Sequence, residues 1–268
     1  MAIKVLINAG AGRMGRRILA LLLEDSELSL AGVREMAGHP SQGQDAGTLI
    51  GTSELGVKVI FGQEEPAIEP EVVIDFSMPK ATIEIARVAA ERKWPLVIGT
   101  TGLSEAEKHK LQQYQEGLPW VLAPNMSVGV NLLFKLAADV TRILGDSFDI
   151  DIVEAHHRFK ADAPSGTAVR LGEEIARARG VELTDKACYG RQGRPGARPA
   201  DEIGILAVRA GDIVGEHTVI FGSLGERIEL VHKAHTRDNF ALGALRAAKW
   251  IIRQPPGLYD MMDVLGLR

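Results

Sequence analysis

The densest run of reactive side chains is Glu154-Ala155-His156-His157-Arg158-Phe159-Lys160, followed shortly by Ser165-Gly166-Thr167. His156 and Lys160 lie four positions apart, so they share a face whether the backbone is extended or helical, while His157 projects elsewhere if the strand persists. Ser165, Gly166 and Thr167 open a helical pattern, and hydroxyls with unsatisfied N–H groups at a helix start form a receptor for a carboxylate. Imidazoles, an ammonium and such a receptor suit acid–base work on a small anion. An N-cap followed by a solvated basic loop is the other reading of these residues, and the density of the cluster weighs against it. Adjacent His156 and His157 do not make a convergent ligand set, so no metal is expected.

A second candidate lies near the amino end. Asn8-Ala9-Gly10-Ala11-Gly12-Arg13-Met14-Gly15 carries Gly-x-Gly-x-x-Gly between an apolar, β-branched run and an amphipathic pattern. Small residues there let the backbone approach a pyrophosphate, whose charge meets the N–H groups of the helix start. Glu35 stands twenty residues beyond Gly15, the spacing at which a carboxylate accepts hydrogen bonds from an adenosine ribose. A plain tight turn and a solvated Glu35 are the alternatives, which the agreement of the two signals disfavours. A carboxylate at this place repels a 2′-phosphate; Met36 follows it and Arg34 precedes it, so NADH is expected to serve at least as well as NADPH.

The elements that must position these groups follow from periodicity. Strands are expected at Ile3 to Ile7, Leu28 to Val33, Val57 to Phe61, Val72 to Phe76 and Leu96 to Ile98, with helices after the glycine turn and over Ala81 to Glu91. Their alternation and continuous apolar character predict a Rossmann-type parallel sheet covered on both faces. After Val130 the rhythm changes to a helix, a strand at Phe148 to Ala155 and a helix after Ser165. Ile203 to Arg209, His217 to Phe221 and Arg227 to Lys233, separated by short turns, are expected as antiparallel neighbours in a second sheet. Thr184 to Ala200 reads as a long loop, and Phe240 to Arg253 as a helix returning to the first domain. The fold class is therefore α/β: a parallel-sheet domain plus an α+β domain with an open mixed sheet.

Composition narrows the partners. A net charge of −4 gives no broad positive field, which argues against nucleic acid or a membrane surface as the partner. Cys188 is the single cysteine, so neither an internal disulfide nor a thiolate cluster is available and a reducing compartment, the cytoplasm, fits. No signal-peptide core or membrane-length apolar stretch is evident.

The His156 to Thr167 run resembles the His-His-Arg-x-Lys…Ser-Gly-Thr signature of the 4-hydroxy-tetrahydrodipicolinate reductase (dihydrodipicolinate reductase) family of lysine and diaminopimelate synthesis. The resemblance continues through the Gly-Arg-Met-Gly turn, Asp75-Phe76-Ser77, Gly99-Thr100-Thr101-Gly102, Ala123-Pro124-Asn125-Met126 and Arg237 to Trp250. It implies NADH or NADPH as cofactor, a cyclic dicarboxylate substrate that loses water and takes a hydride, and a homotetramer. Residues 1–127 and 237–268 are then expected to bind the dinucleotide, and 128–236 to bind substrate and assemble the tetramer. By the resemblance, Ala9, Gly10, Ala11, Gly12, Arg13, Met14 and Glu35 contact the cofactor. Gly99, Thr100 and Thr101 hold its nicotinamide side, with Ala123, Pro124, Asn125 and Met126 lining the same cleft. On the residues alone, Gly99 to Gly102 reads as an ordinary turn and Ala123 to Met126 stays open. His157, Ser165, Gly166 and Thr167 are implied to bind substrate, Lys160 to donate a proton and His156 to act as acid or base, with closure expected about Ser127 and Arg237. The chain departs from the family in Ala9 for glycine, Phe159 for histidine and Met36 for arginine. A semialdehyde dehydrogenase is the competing enzyme, disfavoured by the His156 to Thr167 signature. A non-catalytic dinucleotide sensor is the competing binding protein, separable by an NADH oxidation assay.

Overall fold

The computed structural model describes residues 2–62 and 64–268. In chain order the elements are β1 (Ile3–Asn8), α1 (Arg13–Glu24), β2 (Leu28–Glu35), α2 (Ala46–Leu49), β3 (Val59–Phe61), β4 (Val72–Asp75), α3 (Pro79–Arg92), β5 (Leu96–Ile98), α4 (Glu105–Gln115) and β6 (Pro119–Leu122). There follow α5 (Val128–Leu144), β7 (Asp149–His156), α6 (Gly166–Arg179), α7 (Leu183–Lys186), β8 (Ala187–Cys188), β9 (Ile203–Arg209), β10 (Gly215–Gly222) and β11 (Arg227–Ala234). The chain ends with α8 (Asp238–Ile251), β12 (Gly257–Tyr259) and α9 (Met261–Leu265). It divides into two compact units, Met1–Val128 with Arg237–Arg268, and Gly129–Thr236.

In the first unit seven strands run parallel in the order β12-β6-β5-β4-β1-β2-β3. The direction of strand addition reverses between β1 and β4, which makes the crevice there the expected ligand position in a doubly wound sheet. Val5, Ile7, Val72, Ile74, Val97 and Val121 point to one core with α1 and α8, while Leu6, Val73, Leu96, Ile98 and Trp120 point to another with α3. Burial on both faces is what a parallel sheet requires, and it explains the unbroken apolar strands. Three features bring the carboxyl-terminal segment back to this unit. Asp238 pairs with Arg17 at 2.8 Å and Lys249 with Asp25 at 2.8 Å. Gly243 lies so close to Met126 that a Cβ would fall 1.8 Å from its carbonyl oxygen.

The second unit has a five-stranded sheet in the order β11-β10-β7-β9-β8. β10 runs antiparallel to both β7 and β11, whereas β9 runs parallel to β7, so the sheet is mixed. Strict alternation in β7 buries Ile150, Ile152, Glu154 and His156 on one face, where α5 and α6 supply Val130, Leu133, Phe134, Leu171 and Ile175. α6 starts at the N-cap Ser165, whose hydroxyl accepts from Ala168 N–H, and ends at Gly180 in the left-handed region.

The α/β class with its two different sheets is as the sequence implied. One adjacency is corrected: β9 and β10 are not neighbours, because β7 lies between them. A short turn predicts a hairpin only when no earlier strand can slot in, and β7 takes the inner position with the long edge it offers. The Thr184 to Ala200 loop contains the end of α7 and the two-residue β8. β2 extends to Glu35 rather than ending at Val33. Periodicity did not announce α4, β6, β12 or α9. α4 buries only Leu111, and its start is fixed by a Ser104–Glu107 capping box rather than by an apolar stripe.

Candidate active site

The first unit gathers its candidates at the carboxyl ends of the strands. The turn after β1 is a packing solution before it is anything else. A Cβ on Gly10 would stand 2.3 Å from Val33 Cγ1, and one on Gly15 would stand 2.2 Å from the Ala9 carbonyl oxygen. Gly10 and Gly15 are therefore required by close approach, while Gly12 and Arg13 are exposed. Ala9 takes the left-handed conformation, φ 58, at the place where the resemblance leads one to expect glycine. α1 begins with Gly12 as a cap without a side-chain hydrogen bond and with no acid in its first turn. Its leading N–H groups have no intrahelical acceptor, so this start fits the pyrophosphate of a dinucleotide.

Glu35 is the last residue of β2 and is buried. Ala11 N–H donates to its Oε1 at 2.8 Å and Met36 N–H to its Oε2 at 3.3 Å. The carboxylate thus braces the glycine turn, and it retains acceptor capacity for a ribose hydroxyl. At the β1/β4 crevice Asp75 is fully buried and accepts from Asn8 Nδ2 at 2.6 Å, Thr82 Oγ1 at 2.6 Å and Thr100 Oγ1 at 3.0 Å. It ties together the ends of β1 and β4, the start of α3 and the turn after β5. In that turn a Cβ on Gly99 would fall 2.2 Å from the Phe76 ring; Thr100 is buried and Thr101 exposed. Ala123 and Met126 are buried, Pro124 is exposed, and Asn125 Oδ1 accepts from Ser127 N–H at 3.0 Å. Ala123 and Met126 therefore offer backbone rather than side chain to any ligand.

The second unit builds its candidates from charge. Glu154 is fully buried. Arg209 grips it with both guanidinium N–H arms at 2.8 Å each, Ser165 N–H donates to Oε1 at 2.9 Å, and His156 Nδ1 lies 2.6 Å from Oε2. Burial pushes the Glu154 carboxyl up, but Arg209, His156 and the Ser165 N–H together hold it below its usual value. Burial lowers the His156 imidazole; contact with Glu154 pulls it back only in part, and the charges of Lys160 and Arg209 oppose that. The net direction leaves His156 neutral near pH 7. His217 packs edge-on against it at 5.3 Å between ring centroids and places Nε2 3.1 Å from Ser165 Oγ. Burial, reinforced by His156, pushes His217 down to about 3.

Lys160 follows a turn in which its N–H donates to His157 O, and its Nζ pairs with Asp162 at 2.9 Å. His157 stacks, tilted, against the exposed Phe159, and its Nδ1 is buried without a protein partner. Gly166 is exposed, and a Cβ there would meet nothing within 4 Å. Ser165 differs from its neighbours: it is buried, with N–H and hydroxyl committed to Glu154, Ala168 and His217. Sequence reasoning passed over Glu154, Arg209 and His217. Glu154 and His156 are separated by two on a strand and so share a face, a usable signal; Arg209 and His217 arrive through strand pairing and carry no local one.

Two family models match consecutive stretches: "Dihydrodipicolinate reductase, N-terminus" over residues 3–126 and "Dihydrodipicolinate reductase, C-terminus" over residues 129–265. The chain belongs to the dihydrodipicolinate reductase family. A protein of Syntrophus aciditrophicus named 4-hydroxy-tetrahydrodipicolinate reductase is 50% identical over 99% of each chain. One of Magnetococcus marinus with the same name is 49% identical over the full length of both. A dihydrodipicolinate reductase from Paenisporosarcina sp. TG-14, solved with dipicolinate bound, has the same fold with a TM-score of 0.73 at 23% identity, covering 98% of this chain and 99% of that one. The family's carboxyl-terminal model runs past Thr236 into α8, β12 and α9, so this sequence division is not the structural one. Among the described residues no group of three or more His, Cys, Asp or Glu is placed to hold a metal ion, and no helix is long and apolar enough to cross a membrane.

Proposed function

We propose that this chain is a nicotinamide-dependent reductase converting (2S,4S)-4-hydroxy-2,3,4,5-tetrahydrodipicolinate to 2,3,4,5-tetrahydrodipicolinate, a step of diaminopimelate and lysine synthesis. The reading is carried by full-length likeness to relatives named for that reductase, in a chain that sets His156, His157 and Lys160 close to the start of α6. Residues 1–127 with 237–268 take the dinucleotide, and residues 128–236 take the substrate.

When bound, the dinucleotide supplies the hydride. Gly10, Ala11, Gly12, Arg13 and Met14 receive its pyrophosphate at the start of α1, Ala9 shapes the turn, and Glu35 receives the adenosine ribose. Gly99, Thr100 and Thr101, held by Asp75, and the backbone of Ala123 to Met126 receive its nicotinamide side. His157, Gly166 and Thr167 bind substrate carboxylates: a buried imidazole edge and the leading N–H groups of α6 are strongest toward an anion when water is excluded. Ser165 belongs to this group as the residue that fixes the helix start. Lys160 delivers the proton that completes reduction, and His156 exchanges a proton with the substrate as its hydroxyl leaves as water. A cyclic dicarboxylate occupies a relative of the same fold, which supports this substrate class.

NADH is proposed to serve at least as well as NADPH, because Glu35 is followed by the exposed, uncharged Met36 and nothing at that position neutralises a 2′-phosphate. The test is an assay with substrate generated from pyruvate and aspartate semialdehyde by the preceding synthase. Loss of nicotinamide absorbance with NADH at least as fast as with NADPH is expected. No oxidation with either cofactor would sink the enzyme reading, and a much higher kcat/KM with NADPH would sink the cofactor reading alone.

A cytoplasmic homotetramer completes the reading. The face of the second sheet opposite α5 and α6 carries Val153, Leu206, Val208, Ile220 and Val231, all half-buried or exposed, among the charged Asp151, Glu216, Glu229 and Lys233, a mixed surface whose apolar residues suit self-association. Light scattering should give a four-chain mass; a monomer at micromolar concentration would remove this assembly.

A further inference from the structure

We propose that Glu154 is a positioning residue for the reaction: it fixes the tautomer of His156 and so makes Nε2 the nitrogen that exchanges the proton. The inference rests on the acid–base reading of His156. An ionised carboxylate only accepts hydrogen bonds, so the 2.6 Å contact between Glu154 Oε2 and Nδ1 places the ring proton on Nδ1. With the imidazole neutral, Nε2 then carries the lone pair.

The carboxylate cannot turn away from this duty. Oε1 accepts from Ser165 N–H and one arm of Arg209, and Oε2 accepts from the other arm as well as from His156. Donors thus hold both oxygens in the plane that faces the ring. The same carboxylate, through Ser165, is joined to the start of α6, so one buried charge sets both the imidazole and the helix start proposed to grip the substrate.

The opposite side of the ring is shaped to match. Nε2 lies beside Gly215, where a Cβ would stand 3.1 Å away, so any side chain at that position would crowd this nitrogen. The charged and titratable groups around His156 are Glu154 on its own strand, Arg209 on β9, His217 on β10 and Lys160 from the following turn. Glu154 is the only one of these four that favours the protonated ring.

A merely structural Glu154, serving as counter-ion to Arg209, would predict none of the following. Nitrogen-15 NMR of the full-length protein, with His156 assigned from the spectrum of His156→Gln, should show the Nδ1–H tautomer at pH 8. Glu154→Gln should lower kcat on the order of 100-fold, since a wrong tautomer costs a base most of its function, with KM for NADH unchanged. The acid limb of its kcat–pH profile should move to lower pH, and Glu154→Asp should restore part of kcat. A wild-type ring found as Nε2–H overturns the proposal without reference to any variant. An inactive His156→Gln beside a Glu154→Gln enzyme of normal kcat and pH profile overturns the proposal and spares the acid–base reading. Full activity in His156→Gln overturns both.

Discussion

The two units offer the anions proposed for them receptors of different kinds. In the first, the turn after β1 is made of backbone: Gly10 and Gly15 are forced by contacts with Val33 and Ala9, Gly12 N–H closes the turn onto the Ala9 carbonyl at 3.1 Å, and Gly12 and Arg13 are exposed. Its acids, Glu35 and Asp75, accept hydrogen bonds from the protein and brace the frame. In the second, the residues proposed to meet the substrate combine the start of α6 with ionisable side chains, several of them arranged around one buried carboxylate, Glu154. A backbone receptor has no proton to lose, so the first unit should bind over a wide pH range. Side chains that titrate give the second unit chemistry and also a dependence on pH.

The largest expected effect sharpens that division. Lys160→Ala should lower kcat by about 100-fold to 10,000-fold, the range for loss of a positioned general acid, while leaving the dissociation constant for NADH unchanged. Among the described residues the Lys160 ammonium pairs with the exposed Asp162 alone, so stability should shift by no more than about 1 kcal/mol. Steady-state kinetics beside NADH titration makes the check, and a parallel loss of NADH affinity would erase the separation of roles.

Next in size is the pH dependence of stability in the second unit. His217 is buried with its pKa pushed down to about 3, first by desolvation and then by neighbouring His156. As pH falls below about 6.5, the unfolded chain binds a proton that the folded chain refuses, so stability falls with pH until the folded value is reached. The loss at pH 4 relative to pH 7 amounts to roughly 3 kcal/mol from this group. Urea unfolding of wild type and His217→Gln at both pH values should show a flatter dependence in the variant. Equal slopes would mean that His217 is protonated in the fold.

The contrast also explains what could be read in advance. The glycine turn is contiguous in sequence, and its spacing to Glu35 is set by one strand–helix–strand passage, so the residues announce the frame. The parallel sheet was legible for the same reason: burial on both faces leaves unbroken apolar runs. Arg209 and His217 join His156 only because β9 and β10 both pair with β7, the very adjacency that short connections misrepresented. Ser165 shows the limit from the other side. A hydroxyl at a helix start reads equally as ligand donor or cap, and only the placement of Glu154 and His217 decides how it is spent.

The smallest effect tests whether the first unit depends on backbone alone. Ala9 adopts φ 58, a conformation that costs a residue with a Cβ about 1 kcal/mol relative to glycine. Ala9→Gly removes that strain but gives the unfolded chain more freedom, worth about 0.4–1 kcal/mol in the other direction. The variant should therefore be between neutral and about 0.6 kcal/mol more stable, seen as an unchanged or higher urea midpoint with the same slope. NADH affinity should stay within about twofold, because the N–H groups at the start of α1 keep their placement. A marked loss of stability would show that the Ala9 methyl group packs usefully, and the turn would then rest on side chains after all.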